Sequence, residues 1–137
     1  MHEGSFDGKV LVTGGAGFIG SHLVEALRAA KADVRVLDNL DPQAHEHPDF
    51  PDYLSGVDLM QGDVKDPEVW ERALEDVTHV VHFAAVVGLA QSMYEITYYT
   101  GTNVMGTANL LQALASRRYP VRKLLVASSM SLYGEGL

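Results

Sequence analysis

Closely spaced glycines lie between Thr13 and Gly20, where the sequence reads TGGAGFIG. Counted from Gly15 the pattern is G-x-G-x-x-G, and counted from Gly14 it is T-G-x-x-G-x-x-G. Glycine permits a tight turn, a close approach of the backbone to a pyrophosphate, and close packing of a helix on a strand. The N–H groups and dipole of a following helix would add attraction for phosphate. The predicted chemistry is dinucleotide binding, and a purely structural turn is the alternative.

Two acidic residues stand where the adenosine of a dinucleotide would need hydrogen-bond acceptors. Asp38 ends a short apolar run 18 residues after the last of these glycines, close to the usual position of a carboxylate that binds the adenine ribose. Asp63, followed by Val64, comes after another such run, within reach of the adenine. Asp38 would repel a 2′-phosphate, and neither Asn39 nor Leu40 supplies an arginine to receive one. These residues predict a preference for NAD over NADP.

Hydrophobic periodicity predicts the strands and helices that position these residues. Short apolar runs typical of buried strands occupy residues 9–13, 34–38, 57–60, 80–85 and 123–127. Helical spacing is found in three places: from Phe18 onward, after Asp66-Pro67, and across residues 91–116. The alternating order predicts an α/β fold, a Rossmann-like, doubly wound and mainly parallel sheet of about five strands. The faces expected to be buried are Ile19, Leu23, Ala26, Leu27 and Ala30; Val69, Trp70, Ala73 and Leu74; and Val104, Ala108, Leu111 and Ala115.

Composition excludes several classes of protein. The chain has 137 residues, 47% apolar and 20% charged, with a formal net charge of -8, as is typical of one globular domain without a nucleic-acid surface. Cysteine is absent, which excludes disulfides and thiolate metal ligands. Residues 1–8 lack the apolar core of a signal peptide, and the longest apolar stretch, residues 83–90, is too short to span a membrane. We therefore expect a cytoplasmic protein without a nucleic-acid or membrane partner.

Histidines and tyrosines elsewhere carry weaker signals. His45-Glu46-His47 lies in the polar, proline-flanked segment 39–55, without helical spacing or a third ligand, so we expect a solvated loop and no metal site. His79 and His82 lie at a buried strand and are interpreted as packing residues. Three tyrosines at nearly helical spacing are expected in the core or in a subunit contact, with substrate contact as the alternative: Tyr94, Tyr98 and Tyr99.

Six segments match one known family in its order along the chain. They are TGGAGFIGSH (13–22), VLDNL (36–40), GDVKD (62–66), VVHFAA (80–85), NVMGTANLL (103–111) and ASSMSLYGEG (127–136). The chain resembles the amino-terminal half of an extended short-chain dehydrogenase/reductase, the family of nucleotide-sugar epimerases and dehydratases. The resemblance implies an enzyme with NAD as its cofactor and a nucleotide-sugar as its substrate.

The resemblance also implies roles for individual residues. At the pyrophosphate it places Gly14, Gly17, Phe18 and Ile19; at the ribose, Asp38, Asn39 and Leu40; and at the adenine, Asp63 and Val64. On the nicotinamide side it places Phe83, Ala84, Ala85 and Val87, with Asn103, Ala127 and Ser128 as further cofactor contacts. Asn103 has capping or packing as its alternative. Ser129 falls at the family's substrate-binding and catalytic Ser or Thr, and no metal ligand is implied.

The family's proton-transferring pair is a Tyr followed, one helical turn later, by a Lys, and it takes a proton from a sugar hydroxyl. The Y-x-x-x-K here, Tyr119 to Lys123, is interpreted as a decoy, because proline follows the Tyr and the Lys belongs to a strand. The pair is expected after Tyr133, and the sequence ends at Leu137. We therefore expect residues 1–137 to be an incomplete NAD-binding Rossmann domain that lacks the carboxy-terminal substrate domain. It should be inactive alone and should form a homodimer through residues 91–116 when full length.

The residues after Ser128 bear on the type of reaction. Family 4,6-dehydratases carry an Asp-Glu pair directly after the active-site Thr, because elimination of water needs an added acid and base. Here the run is Ser129-Met130-Ser131, which favours an epimerase that oxidises the sugar and returns the hydride to its other face. Segments 38–43, 88–96 and 128–136 look most like dTDP-L-rhamnose 4-epimerases, with UDP-glucose 4-epimerases next. The alternatives are a dehydratase or dehydrogenase of the family, a non-catalytic NAD-binding module, or a piece completed by a partner chain.

Overall fold

The computed structural model describes residues 7–134. Residues 1–6, which belong to the segment where we expected no signal peptide, lie outside the described residues. So do Glu135 and Gly136 of the last family-like segment. Single turns of 3-10 helix lie at Asp52–Leu54 and Met130–Tyr133, and a π-helical turn lies at Thr100–Met105. The other elements in chain order are β1 (Lys9–Thr13), α1 (Phe18–Ala29), β2 (Asp33–Asp38), β3 (Asp58–Gln61), α2 (Pro67–Ala73), β4 (Val77–His82), α3 (Leu89–Ser92), α4 (Ile96–Tyr99), α5 (Gly106–Ala115) and β5 (Lys123–Val126).

Five parallel strands form one sheet in the order β3-β2-β1-β4-β5. The chain moves from β1 to one edge of the sheet and then crosses to the other side of β1. This confirms the doubly wound, Rossmann-like sheet predicted from the sequence. The crossing point lies between β1 and β4, where Thr13 pairs with His82. Open α/β sheets bind ligands at such a point, at the carboxyl ends of the strands.

Alternation of side chains along the strands gives the sheet one apolar core on each face. The first core contains Val10 of β1 and Val24 of α1. The second contains Leu11 of β1, Trp70 of α2 and Leu110 of α5. The whole predicted face of α2 is buried, which confirms Val69, Trp70, Ala73 and Leu74 as core residues.

The predicted buried face of α1 is partly wrong. Ile19 is 67% exposed, and Ala26 and Ala30 are exposed as well. The residues of α1 that are buried are Gly20 and Val24, with Leu23 and Leu27 partly buried. The reason is the close approach of the helix to the turn before it: Gly20 lies against the backbone of Gly14 and Gly15, and this orientation directs Val24, one turn later, into the core.

The helical region predicted across residues 91–116 is present, but it is not one continuous helix. The segment contains α3, α4, the π-helical turn and α5. The predicted stripe of Val104, Ala108, Leu111 and Ala115 is exposed, and the buried residues are Tyr99, Thr102, Gly106 and Leu110. A π turn adds a residue and rotates the face that follows it. Gly106 then lets α5 approach α2's side of the sheet, where a Cβ at this glycine would lie 2.6 Å from Cγ2 of Val64.

The fourth strand is β4, at Val77–His82, and not at residues 80–85. Its register is fixed by β1, since Thr13 pairs with the last residue of β4. Phe83 and the two alanines after it, which made the predicted strand longer, leave the sheet at its carboxyl edge. They pass over the end of β1, where the N–H of Phe83 donates to the carbonyl of Thr13 at 3.1 Å.

Candidate functional site

The turn between β1 and α1 needs glycine at two positions for reasons internal to the protein. Gly14 has a φ of +67°, and a Cβ there would lie 2.9 Å from the backbone nitrogen of Ala84. A Cβ at Gly20 would lie only 2.1 Å from the carbonyl oxygen of Gly14. These glycines bring the start of α1 against the end of β1, so the fold alone accounts for both of them.

Gly17 is different, because the protein itself does not require a glycine there. Its φ is −72°, and a Cβ would have the carbonyl oxygen of Gly14 as its nearest described contact, at an ordinary 3.4 Å. Gly17 is the N-cap of α1, and Phe18 and Ile19 follow it in the first turn with side chains 83% and 67% exposed. First-turn amides have no partner within a helix. A ligand that approaches this backbone closely, such as a pyrophosphate, fits both the space and the donors.

Asp38 lies at the carboxyl end of β2 with a side chain that is only 6% exposed. One carboxylate oxygen accepts the N–H of Ala16 at 3.0 Å, and the other accepts the N–H of Leu40 at 2.9 Å. Leu40 itself is buried, whereas Asn39 is exposed beside it. A carboxylate has about four lone-pair sites, so Asp38 can position the glycine turn and still accept hydrogen bonds from a ribose.

The segment between β2 and β3 is more ordered than a solvated loop. His45 places Nε2 3.4 Å from Oδ1 of Asp38 and its side chain is 10% exposed, which corrects the prediction for this residue, while Glu46 and His47 are exposed. The hydroxyl of Tyr53 donates to the carbonyl of Ala16 at 3.0 Å. Sequence reasoning missed His45 and Tyr53 as site neighbours, because nothing local signals that this segment folds back over the glycine turn.

Asp63 and Val64 follow β3, as predicted. Oδ1 of Asp63 accepts the N–H of Lys65 at 2.9 Å, and its other oxygen lies 3.3 Å from Lys65 Nζ. The side chain of Val64 is in the core, and its carbonyl accepts the indole N–H of Trp70 at 2.9 Å. Any contact of Val64 with an adenine would therefore come from its backbone N–H.

Tyr98, in α4, contacts both the segment that follows β2 and the segment that follows β3. Its hydroxyl donates a short hydrogen bond to Asp41, and Lys65 Nζ lies 5.6 Å from the centre of its ring. The hydrogen bond lowers the pKa of Asp41. Burial and the neighbouring carboxylate raise the pKa of Tyr98 to about 12. The hydroxyl of Tyr98 is therefore protonated at neutral pH and acts as a hydrogen-bond donor. Of the other two tyrosines in this region, Tyr99 is buried, as expected for a core residue, and Tyr94 is 87% exposed.

The segment expected on the nicotinamide side, residues 83–87, crosses the ends of β1 and β4. Asn103 accepts the N–H of Val86 at 2.9 Å through Oδ1 and donates to the carbonyl of the same residue at 3.0 Å through Nδ2. Asn103 therefore has a packing role in the protein, which was the alternative to cofactor contact. Ala85 and Val87 are exposed, the latter by 84%, and Phe83 and Ala84 are partly buried.

The residues expected at the cofactor, Ala127 and Ser128, and at the sugar, Ser129, lie after β5 and are exposed. The N–H of Ala127 donates to the carbonyl of His82 at 3.2 Å, so the chain leaves the sheet next to β4. Ser128 and Ser129 are exposed, and Oγ of Ser129 accepts the N–H of Ser131 at 3.2 Å. Tyr119 packs against the core while Lys123 begins β5, so these two residues do not form the helical pair of the family. Within residues 7–134, no three side chains of the metal-ligating types converge.

The glycine turn, Asp38 and the segments after β3, β4 and β5 meet at one edge of the sheet in the family's order. The sequence profile described as the NAD dependent epimerase/dehydratase family matches residues 10–137. The chain belongs to this family. It is the family that the sequence resemblance indicated, and its cofactor is NAD, as expected.

Individual relatives are similar to most of this chain, in sequence or in structure. It is 40% identical over 131 residues to the dTDP-L-rhamnose 4-epimerase of Burkholderia thailandensis, covering 93% of this chain and 36% of that protein. The crystal structure of the UDP-glucose 4-epimerase of Thermus thermophilus in complex with NAD matches with a TM-score of 0.71 and 42% identity, over 85% of this chain and 36% of that one. The UDP-N-acetylglucosamine 4-epimerase of Methanobrevibacter ruminantium in complex with UDP-N-acetylmuramic acid matches with a TM-score of 0.76 and 31% identity, over 95% and 40%. The chain thus spans 36–40% of the length of these relatives.

Proposed function

We propose that this chain is the NAD-binding portion of a nucleotide-sugar 4-epimerase. The observation that carries the proposal is Gly17, a glycine at the N-terminus of α1 that the protein's own packing does not require. It lies in the same turn that Asp38 holds through Ala16. A turn shaped for a pyrophosphate, held by the carboxylate that would bind the ribose, is what a dinucleotide site needs.

Each group of residues would contribute a separate part of the site. The amides after Gly14 and Gly17, including those of Phe18 and Ile19, would bind the pyrophosphate; Asp38, Asn39 and Leu40 would hold the ribose; and Asp63 and Val64 would contact the adenine. Residues 83–87, with Asn103, Ala127 and Ser128, would border the nicotinamide. When bound, NAD supplies a reversible hydride acceptor. Ser129 would orient the sugar hydroxyl that loses its proton.

The same proposal favours epimerisation over elimination. Met130 and Ser131 follow Ser129, so this part of the chain supplies no carboxylic acid to protonate a leaving hydroxyl. The relative from Burkholderia thailandensis, named dTDP-L-rhamnose 4-epimerase, supports a deoxysugar nucleotide as the substrate. The UDP-glucose 4-epimerase from Thermus thermophilus supports a UDP-hexose as the alternative.

Further properties of the whole protein belong to this proposal. We propose that residues 1–137 are part of a two-domain enzyme whose remaining domain binds the sugar. Val104, Met105 and Leu111 are large apolar side chains, each more than half exposed on or next to α5, and this supports a homodimer through that helix. Among the described helices, none combines the length and the apolar character needed to cross a membrane. A cytoplasmic location remains part of the proposal.

The test of cofactor binding is titration calorimetry of the 137-residue chain with NAD and with NADP. We expect NAD to bind about tenfold to a hundredfold more tightly, since the Asp38 carboxylate would face the 2′-phosphate. Gly17→Ala should weaken NAD binding by about tenfold or more, while the free energy of unfolding falls by no more than about 1 kcal/mol, the cost of placing alanine at an N-cap. Equal affinity for the two cofactors, or undiminished NAD binding by the variant, would refute the site.

The test of the reaction needs the protein extended through the next Tyr-x-x-x-Lys and the carboxy-terminal domain. That protein should interconvert the C4 epimers of dTDP-L-rhamnose or UDP-glucose, whereas the 137-residue chain should not exceed the control without enzyme. Loss of general acid-base catalysis alone removes a factor of about 10² to 10⁴ in rate. NAD binding without epimerisation or dehydration by the extended protein would favour a non-catalytic NAD-binding module.

A further inference from the structure

A continuous run of hydrogen bonds passes through His82, beneath the segment that borders the proposed nicotinamide position. The N–H of Ala84 donates to Oγ1 of Thr13 at 3.1 Å, and that oxygen lies 2.7 Å from Nδ1 of His82. On the other side of the ring, Nε2 lies 3.2 Å from Oγ1 of Thr107. The hydroxyl of Thr107 donates to the carbonyl of Asn103 at 2.9 Å. The run therefore joins β1, β4 and α5.

The chemistry of the end groups fixes the direction of these bonds. An amide N–H can only donate and a carbonyl can only accept, so the single hydroxyl hydrogen of Thr107 points to Asn103. The oxygen of Thr107 must then accept a hydrogen from Nε2 of His82. With Nε2 protonated, a neutral ring has Nδ1 as its acceptor, and the hydroxyl of Thr13 donates to it while accepting the amide of Ala84. All four bonds thus run in one direction, from Ala84 to Asn103.

A charged His82 would not preserve this arrangement. Nδ1 would become a donor, and the hydroxyl hydrogen of Thr13 would lose its acceptor in the run. The groups packed against the ring are Thr13 from β1, Thr107 from α5 and Trp70 from α2, whose ring centre is 5.7 Å away. These three side chains carry no charge to offset an imidazolium. Burial lowers the pKa of His82 to about 4, so the ring is neutral at pH 7.

Asn103 makes a second connection between the helical region and residues 83–87. The side chain of Asn103 accepts the N–H of Val86 and donates to its carbonyl. Ala84 is therefore held by the run through His82, and Val86 is held by the residue at which that run ends. Fixing a segment at two points from one rigid support determines both its position and its orientation.

We propose that His82 is a positioning residue, which as the neutral Nε2–H tautomer fixes residues 83–87 against Asn103 and Thr107 and so sets the wall that borders the nicotinamide. The inference rests on the proposed NAD site for its functional meaning. The tautomer and the two-point attachment concern the protein alone, and they are measurable without any ligand.

The first measurement is the tautomer of His82 in the wild-type 137-residue chain at pH 7, from the nitrogen chemical shifts of its ring. We expect a protonated Nε2 and an unprotonated Nδ1. A ring with Nδ1 protonated, or one that exchanges between the two tautomers, would overturn the proposal without the need for any variant.

The second measurement compares two substitutions of Thr107 with a control. Thr107→Val removes the acceptor for Nε2 and should speed amide hydrogen exchange of Ala84 by about tenfold, which corresponds to the loss of one hydrogen bond. Thr107→Ser should restore both the tautomer and the slow exchange. Thr100→Val, at an exposed threonine of the π-helical turn, should change neither. Unchanged exchange at Ala84 in a folded Thr107→Val variant would contradict the proposal.

NAD affinity, measured on the same proteins, separates this inference from the proposed function. Weaker binding in Thr107→Val and recovery in Thr107→Ser would support both. Absence of NAD binding by every protein, with the tautomer and exchange pattern as expected, would count against the NAD site and leave the positioning role of His82 in place.

Discussion

The glycine turn and the residues after β5 lie at the same edge of the sheet but are held in different ways. In the turn, the N–H of Ala16 donates to Asp38 and its carbonyl accepts from Tyr53, and the strand beside it is buried. After β5, the hydroxyl of Ser129 accepts a hydrogen bond within its own single turn. Val126, the last residue of β5, is 46% exposed.

The difference separates stability from chemistry along the chain. On the adenosine and pyrophosphate side, residues such as Gly20 and Asp38 also hold the fold, so substitutions of these residues should change folding and cofactor binding together. Gly17, which the packing does not require, is the exception. The Ser129 side makes few contacts within the described part of the chain, so a substitution there should leave folding unchanged. Substitutions and a change of pH test this contrast, in order of their expected effect on the free energy of unfolding.

Gly20→Ala should have the largest effect. The new Cβ would lie 2.1 Å from the carbonyl oxygen of Gly14, which is backbone and has no room to move aside. Overpacking of this kind costs up to about 3 kcal/mol and occasionally more, so we expect the urea midpoint to fall by a corresponding amount. Unlike Gly17→Ala, this variant should lose stability and NAD binding together. A loss of less than about 1 kcal/mol would show that α1 is not pressed against the turn.

Acidification should destabilise the protein through His82, which lies between the two regions. Its pKa is about 4 in the folded protein against an ordinary value of 6.5. The unfolded chain binds the proton between those pH values and the folded protein does not. The free energy of unfolding therefore falls as the pH is lowered through this window, by about 3 kcal/mol from this one group.

Equilibrium unfolding between pH 7 and 4 measures that slope. His82→Gln should lose it, and His47→Gln, at an exposed histidine, should retain it. Asp41 and Asp58 have pKa values below the ordinary 3.8. The stability that these two carboxylates contribute is therefore fully present above that pH and is lost only as the pH falls below it. A wild-type protein with the same slope as His82→Gln would show that the ring is not held neutral.

The features that the sequence predicted well depend on local signals. The glycine turn directly follows a short apolar run, and α2 begins where Asp66 caps the helix ahead of Pro67. Capping, turn formation and amphipathic spacing act within a few residues of one another. For this reason the turn, α2 and the order of the strands could be identified from a single sequence.

The features that the sequence did not predict depend on contacts between distant parts of the chain. His45 lies against Asp38, with a side chain that is 10% exposed, only because the segment after β2 folds back. The face of α5 depends on the π-helical turn before it and on the approach of Gly106 to Val64. The apolar residues in this part of the sequence are compatible with burial of more than one face of the helix, and tertiary packing determines which face is buried.

Tyr53→Phe should have a moderate effect, since it removes one hydrogen bond to the glycine turn and leaves the ring. Loss of the bond to Ala16 should lower the free energy of unfolding by about 0.5 to 1.5 kcal/mol. NAD affinity should fall several-fold, because the carbonyl of Ala16 would lose the group that fixes it. Tyr94→Phe, at a tyrosine that is 87% exposed, is the control and should leave both quantities unchanged. If the two variants behave alike, Tyr53 does not position the turn.

Ser129→Ala should have the smallest effect on folding and so provides the sharpest contrast. The substitution removes only the hydrogen bond that Oγ accepts from Ser131 within an exposed single turn, so the free energy of unfolding should change by no more than about 0.5 kcal/mol. In the extended protein the same change should lower epimerase turnover by about 10²-fold or more, because the sugar hydroxyl would lose a group that orients it. Ser131→Ala keeps the backbone N–H of that bond and should leave turnover near the wild-type rate. Full turnover by Ser129→Ala would remove Ser129 from the site, and a large loss of stability in the 137-residue chain would show that the end of β5 is held as firmly as the glycine turn.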